Sequence, residues 1–157
     1  MSTLQPWVEL TVDDLLSAMT DREKEAFGKV STTLSVPDRV IPILADIVQE
    51  VRGYIGSNST NTLSADPLLI PAEFKGKALA IARWNVLVSI PNYNPGDARK
   101  DTYDKADAFF LAVAKGSIRP RPAPDAEPNP VPSEKPAGVE VVSSAPSRTG
   151  RTRMDGL

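Results

Sequence analysis

"SVPDRVIPILADIVQEVRGYIGS", residues 35–57, decides the fold class. Ile41, Leu44, Ile47, Val48, Val51, Tyr54 and Ile55 recur at the i, i+3, i+4, i+7 spacing that lines one face of a buried helix. Pro37 and Pro42 fit only in or before a first turn, because an interior proline removes a hydrogen bond and clashes one turn back. The spacing therefore predicts a regular helix from close to residue 40 to just before Gly56. The small polar run "SNSTNTLSADP", residues 57–67, follows it and reads as an exposed loop.

The same periodicity recurs on both sides. In "TVDDLLSAMTDREKEAFGK", Thr11 is placed to cap a helix with Asp14 as the acid of a capping box, and Leu15, Ala18 and Met19 follow at helical spacing. A short helix over about 12–19, with a second turn through Phe27 to Gly28, is expected, and "DREKE" reads as a solvated face. "IPAEFKGKALAIARWNVLVSI" opens at Pro71, a favoured helix start. Phe74, Ala78, Ile81, Asn85 and Val88 form one of its faces, and Leu79, Ala82, Val86 and Ile90 widen it. So broad an apolar surface predicts a central helix touched from several sides, with Phe74, Trp84 and Val88 as candidate contacts to a neighbouring subunit. A last helix in "ARKDTYDKADAFFLAVAKGS" puts Tyr103, Ala106, Phe110 and Val113 on one face with Phe109 beside it, and Gly116 stops it after Lys115. The expected architecture is all-α: a small four-helix bundle over residues 1–117, with a long extended proline-rich arm over 118–157.

Composition narrows the chemistry. The 157 residues contain no cysteine and no histidine, which removes disulfides, thiolate nucleophiles, imidazole bases and the usual zinc and copper ligands. There is no glycine-rich phosphate loop and no Gly-x-Ser-x-Gly elbow. Asp13 with Asp14, Asp97 with Asp101, and Asp104 with Asp107 are carboxylate pairs suited to Mg²⁺ or acid–base work, but caps and first-turn charges explain them more simply. Trp84 beside Arg83 suggests base stacking next to a cation. Neighbours on a helix diverge by about 100°, so a shared platform is not expected. No catalytic residue, cofactor, metal or small-molecule substrate is expected, and an enzyme is not. A formal net charge of −2 argues against bulk polyanion binding. The first residues lack a basic and apolar leader and no long apolar run appears, so a soluble chain outside any membrane is expected.

Eight of the fifteen prolines lie beyond residue 117, at 120, 122, 124, 128, 130, 132, 136 and 146. Such spacing favours polyproline II, and residues 118–136 at ~3.1 Å each span roughly 60 Å, against a radius of gyration of ~13 Å for the body. Farther on, "GVEVVSS" alternates Val139, Glu140 and Val141 as a strand added to a partner's sheet edge would, and "SRTGRTRMDGL" sets Arg148, Arg151 and Arg153 ahead of Met154 and Leu157. A solubilising tail is the plainer alternative for this end.

Taken in order, "DRVIPILADIVQEVRGYIGS" with its closing Tyr54-Ile55 pair, the proline-started "IPAEFKGKALAIARWNVLV", and "ARKDTYDKADAFFLAVAKGSI" with Tyr103, Ala106, Lys115 and Gly116 resemble the head-tail connector proteins of tailed bacteriophages, of the Mu-like prophage type. The chain end, with Met154, Gly156 and Leu157, is similar to theirs, and the proline arm is the departure. The resemblance implies a structural protein of the virion neck, present in the host cytoplasm during assembly. It implies a ring, commonly dodecameric, that docks on the portal protein and receives the next neck or tail-completion protein. In that setting Val139 and Val141 would pair with a partner's sheet edge, and Arg148, Arg151 and Arg153 would meet carboxylates or packaged DNA in the channel. A small phage-encoded DNA-binding or regulatory factor, and a tail-completion protein, are the alternatives.

Overall fold

The computed structural model describes residues 6–30 and 32–126. In chain order these form β1 (Trp7–Glu9), α1 (Val12–Ala18), α2 (Asp21–Gly28), α3 (Val36–Gly56), β2 (Leu69–Pro71), a single 3-10 turn (Ala72–Phe74), α4 (Lys75–Val88) and α5 (Asp97–Ala114). The mainly helical class stands as expected. Five helices replace the expected four, and β1 pairs antiparallel with β2 through Trp7–Pro71, Val8–Ile70 and Glu9–Leu69. Both strands have only three residues, too few for an alternating pattern to be visible in the sequence.

Local caps explain most boundaries. Thr11 and Asp14 form the expected capping box at α1. A second box, Thr20 with Glu23, separates α2 from α1 as a helix of its own. At α3 the expectation of a start near residue 40 is overturned. The Ser35 hydroxyl accepts from the Asp38 N–H, Pro37 occupies the first turn, and Pro42 lies inside the helix. Pro42 and Asp38 are both exposed, so the carbonyl that Pro42 leaves without a donor is open to water, which lowers the penalty. Pro71 ends β2 and precedes the 3-10 turn, so α4 starts at Lys75. The α5 stop is a Schellman motif: Gly116 at φ 79° donates to Val113 O and Ser117 to Ala112 O.

One core joins all five helices. Leu44, Ile47, Val48, Val51 and Ile55 of α3 are buried as expected, but Ile41 is 53% exposed and the inward position belongs to Val40. Asp38 and Ile41 face outward beside Val40, while Arg39 lies across the Phe27 ring at 4.0 Å and donates to Phe27 O, because the added first turns fix the phase of the helix there. On α5, Ala106, Phe110 and Val113 are buried, with Tyr103 and Phe109 packed against the core. α4 is central, as its broad apolar surface predicts, touching α1, α2, α3 and α5. Its buried residues Ala78, Ile81, Ala82, Val86 and Leu87 are thus covered by the chain's own helices, with no neighbouring subunit needed for them.

The first residues of the expected arm pack on the body. Residues 118–126 lie on the body as a strap: Trp7 Nε1 donates to Arg121 O at 3.0 Å, Arg121 N donates to Glu73 Oε1 at 2.9 Å, and Ala123 is buried. Asp125 Oδ2 accepts from Ser64 Oγ at 3.0 Å and from Ala65 N at 2.6 Å. The loop 57–67 is correspondingly less free than its composition suggests, with Ser64 buried and Arg52 donating to the carbonyls of Ser64, Asp66 and Leu69.

Candidate functional site

Two of the concavities on the body bear on function. The first is a cleft of about 230 Å³ between α1, α4 and α5, bounded by Gly76, Leu79, Arg83, Trp84, Arg99 and Thr102. Small residues on α4, Gly76 and Ala80, leave the space open. Behind its lining residues Arg83 and Arg99, Glu23 is 4% exposed and joins three helices. Its Oε2 accepts from Arg83 Nε at 3.0 Å, and Arg83 Nη2 also pairs with it. Its Oε1 accepts from Arg99 Nε at 2.9 Å. The Thr20 N–H adds a bond of 2.8 Å. Burial pushes the Glu23 carboxyl up, but the Thr20 N–H and the two guanidiniums outweigh it and hold it below the ordinary glutamate range.

Reading "DREKE" as a solvated face is therefore wrong at Glu23. The Thr20-x-x-Glu23 capping box explains where the carboxylate turns back to the helix start, but its burial comes from Arg83 and Arg99, which no local pattern shows. Arg83 and Trp84, expected to diverge, line one cleft. They still form no platform, because Arg83 is held by Glu23 while the Trp84 ring stacks on Tyr103 at 5.5 Å and 27°.

A larger groove of about 390 Å³ runs between the β1–α1 segment and α3. Leu10, Leu44 and Val48 form its buried floor, Val12 one wall, and Ile41 and Leu68 its rim at 53% and 52% exposure. Its lining is apolar apart from Glu9, Thr11 and Gln49. Periodicity cannot show this groove, since Leu10 and Leu68 lie outside every helix.

The structure separates the candidate contact residues. Phe74 is 1% exposed, its ring edge-on to Phe109 and Phe110 at 5.1 and 5.8 Å, so it belongs to the core and has no surface to offer a subunit. Trp84 is half-buried in the cleft, and Val88 is 51% exposed at the end of α4. Val139, Val141, Arg148, Arg151, Arg153 and Met154 lie outside the described residues.

No family model matches the chain, and neither a curated protein nor a solved structure is significantly similar to it.

One carboxylate of each pair finds an ordinary partner. Asp14 caps α1 and pairs with Lys75 at 2.7 Å, Asp101 pairs with Lys105, and Asp104 with Lys100. Burial raises the Asp14 carboxyl, and its bonds with Lys75 and Thr11 outweigh that and lower it. Among the described residues no group of three or more acidic side chains is arranged to hold a metal ion, and no helix is long and apolar enough to cross a membrane.

Proposed function

We propose that this chain is a structural subunit of a phage neck, forming a ring that docks on the portal and joins the DNA-filled head to the tail. The observation that carries the reading is the clasp at Asp125. It is the last of the strap's bonds to the body, and proline-spaced sequence follows directly, as suits an arm that reaches a partner. Aliphatic surface left over on the body, at Ile41, Leu68, Val88 and Leu111, suits repeated subunit contacts. The sequence resemblance to head-tail connectors points the same way. Each subunit packs a helical face against the next in a heterologous ring, and the arm runs to a neighbour, the portal or the next neck protein.

Imaging with mass analysis tests this, on the protein alone and mixed with the portal protein of the same phage. Rings, or a portal particle that gains a ring-shaped layer, are expected; a protein that stays monomeric and leaves the portal unchanged overturns the reading. The arm's part is tested by ending the chain after Ala126, which retains the strap and its bonds to Trp7, Glu73 and Ser64. Loss of neck assembly by a chain that is still helical is the expected result. A cut after Ser117 would remove those bonds and confuse folding with docking.

A further inference from the structure

We propose that the groove between the β1–α1 segment and α3 receives the valine run of residues 139–142 from a second copy of the chain. This contact requires only two copies and stands apart from the neck reading.

The groove asks for aliphatic side chains. At about 390 Å³, with Leu10, Leu44 and Val48 as floor and Ile41 and Leu68 as a half-exposed rim, it has the size and lining of a recognition pocket and little polar selectivity. Beyond Ala126 the sequence offers few candidates to fill it. Val131 is flanked by Pro130 and Pro132, and Met154 and Leu157 stand singly. Only Val139, Val141 and Val142 cluster without an intervening proline, and in an extended chain Val139 and Val141 share one face.

The geometry of departure selects a second copy over the same chain. Asp125 is clasped at Ser64 and Ala65, and Ala65 precedes rim residue Leu68 by three positions, a chain distance of at most ~11 Å. The chain therefore leaves the body close to its own groove. Val139 is thirteen residues past Ala126 (139 − 126), with prolines at 128, 130, 132 and 136 between them. At ~3.1 Å per residue that proline-spaced spacer reaches roughly 40 Å. A body of this size is about 35 Å across. The spacer overshoots its own groove and matches the step to the same groove on an adjoining copy, the condition under which a tether is most effective. Charge agrees. Glu9 lines the groove and exposed Asp13 adjoins it, while the sequence after Val142 carries Arg148, Arg151 and Arg153 against Asp155 alone. Each copy carries both the donor segment and the acceptor groove, so the contact can close reciprocally between two copies or run head-to-tail along several.

The absence of native cysteine makes the test direct. Ile41→Cys and Val141→Cys are made as separate full-length proteins, mixed at micromolar concentration and treated with a short bismaleimide. Docking raises the local concentration of the pair, so a mixed two-chain product should exceed that from Leu111→Cys with Val141→Cys roughly tenfold. Adding Leu68→Asp to the Ile41→Cys chain should return the yield to the control level, with an unchanged circular dichroism spectrum because Leu68 is on the surface. Equal yields with Leu111→Cys overturn the proposal. So does a chain carrying both Ile41→Cys and Val141→Cys that closes only on itself, whatever its concentration.

Discussion

Arg99 Nε stands 2.9 Å from Glu23 Oε1 across 76 residues of sequence, while Arg83 takes the other oxygen of the same carboxylate. Three helices thus meet at one buried charge. Glu23→Ala leaves two guanidiniums facing each other and should lower stability by about 3 kcal/mol, the low end for breaking a buried pair, because Arg99 retains part of its hydration. Urea unfolding at neutral pH reads this directly.

Acid should act at the same place. The folded Glu23 carboxyl titrates below its ordinary value of 4.5, so an unfolded chain binds its proton first as the pH falls. The stabilisation is complete above that ordinary value and is lost as the pH drops through the lower, folded one. In unfolding curves from pH 6 to pH 3, Glu23→Gln should show a shallower decline than the parent. Parallel curves would mean that other carboxylates carry the acid sensitivity.

Two glycine substitutions should differ in sign. Gly53 lies exposed inside α3, with nothing within 4 Å of an added Cβ, so Gly53→Ala should stabilise by about 1 kcal/mol. Gly116 has φ 79°, and its added Cβ would meet Asn58 Nδ2 at 2.5 Å, so Gly116→Ala should destabilise by about 1–2 kcal/mol. Thermal melts of both, side by side, check the contrast.

The strap should detach in acid or on losing its clasp. The Ala65 N–H, with Ser64 Oγ assisting, holds the Asp125 carboxylate below its ordinary range. Its hold is therefore complete above the unfolded value of 3.8 and fails as the pH falls through the lower folded one. In a Trp84→Phe background only Trp7 emits, and its indole N–H bonds Arg121 O. Asp125→Ala should red-shift that emission at neutral pH and remove the parent's acid transition.

Ile41 and Leu44 should part company despite sharing a predicted stripe. Leu44→Ala empties a buried position and should cost about 3 kcal/mol. Ile41→Ser touches a half-exposed rim and should change the stability of the isolated subunit by less than about 0.5 kcal/mol. Denaturant midpoints at low protein concentration separate the two.

Neighbouring residues settle part of this fold among themselves. The buried face of α3 from Leu44 to Ile55, the Ala106–Phe110–Val113 face of α5, the Thr11–Asp14 box and the Gly116 stop all depend on partners within one or two helical turns. A 3.6-residue period or a single positive φ suffices to announce them. Tertiary structure alone decided the rest. Pro42 is tolerated because its side of α3 faces water, and Ile41 is outside because Val40 is inside. β1 exists because β2, some sixty residues away, supplies its hydrogen bonds. Glu23 is buried because two arginines from α4 and α5 arrive to neutralise it, and residues 118–126 are held because Ser64, Glu73 and Trp7 meet them. A buried charge, a three-residue strand or an extended strap is stable only with distant partners in place, and distance along the chain conceals those partners from any local pattern.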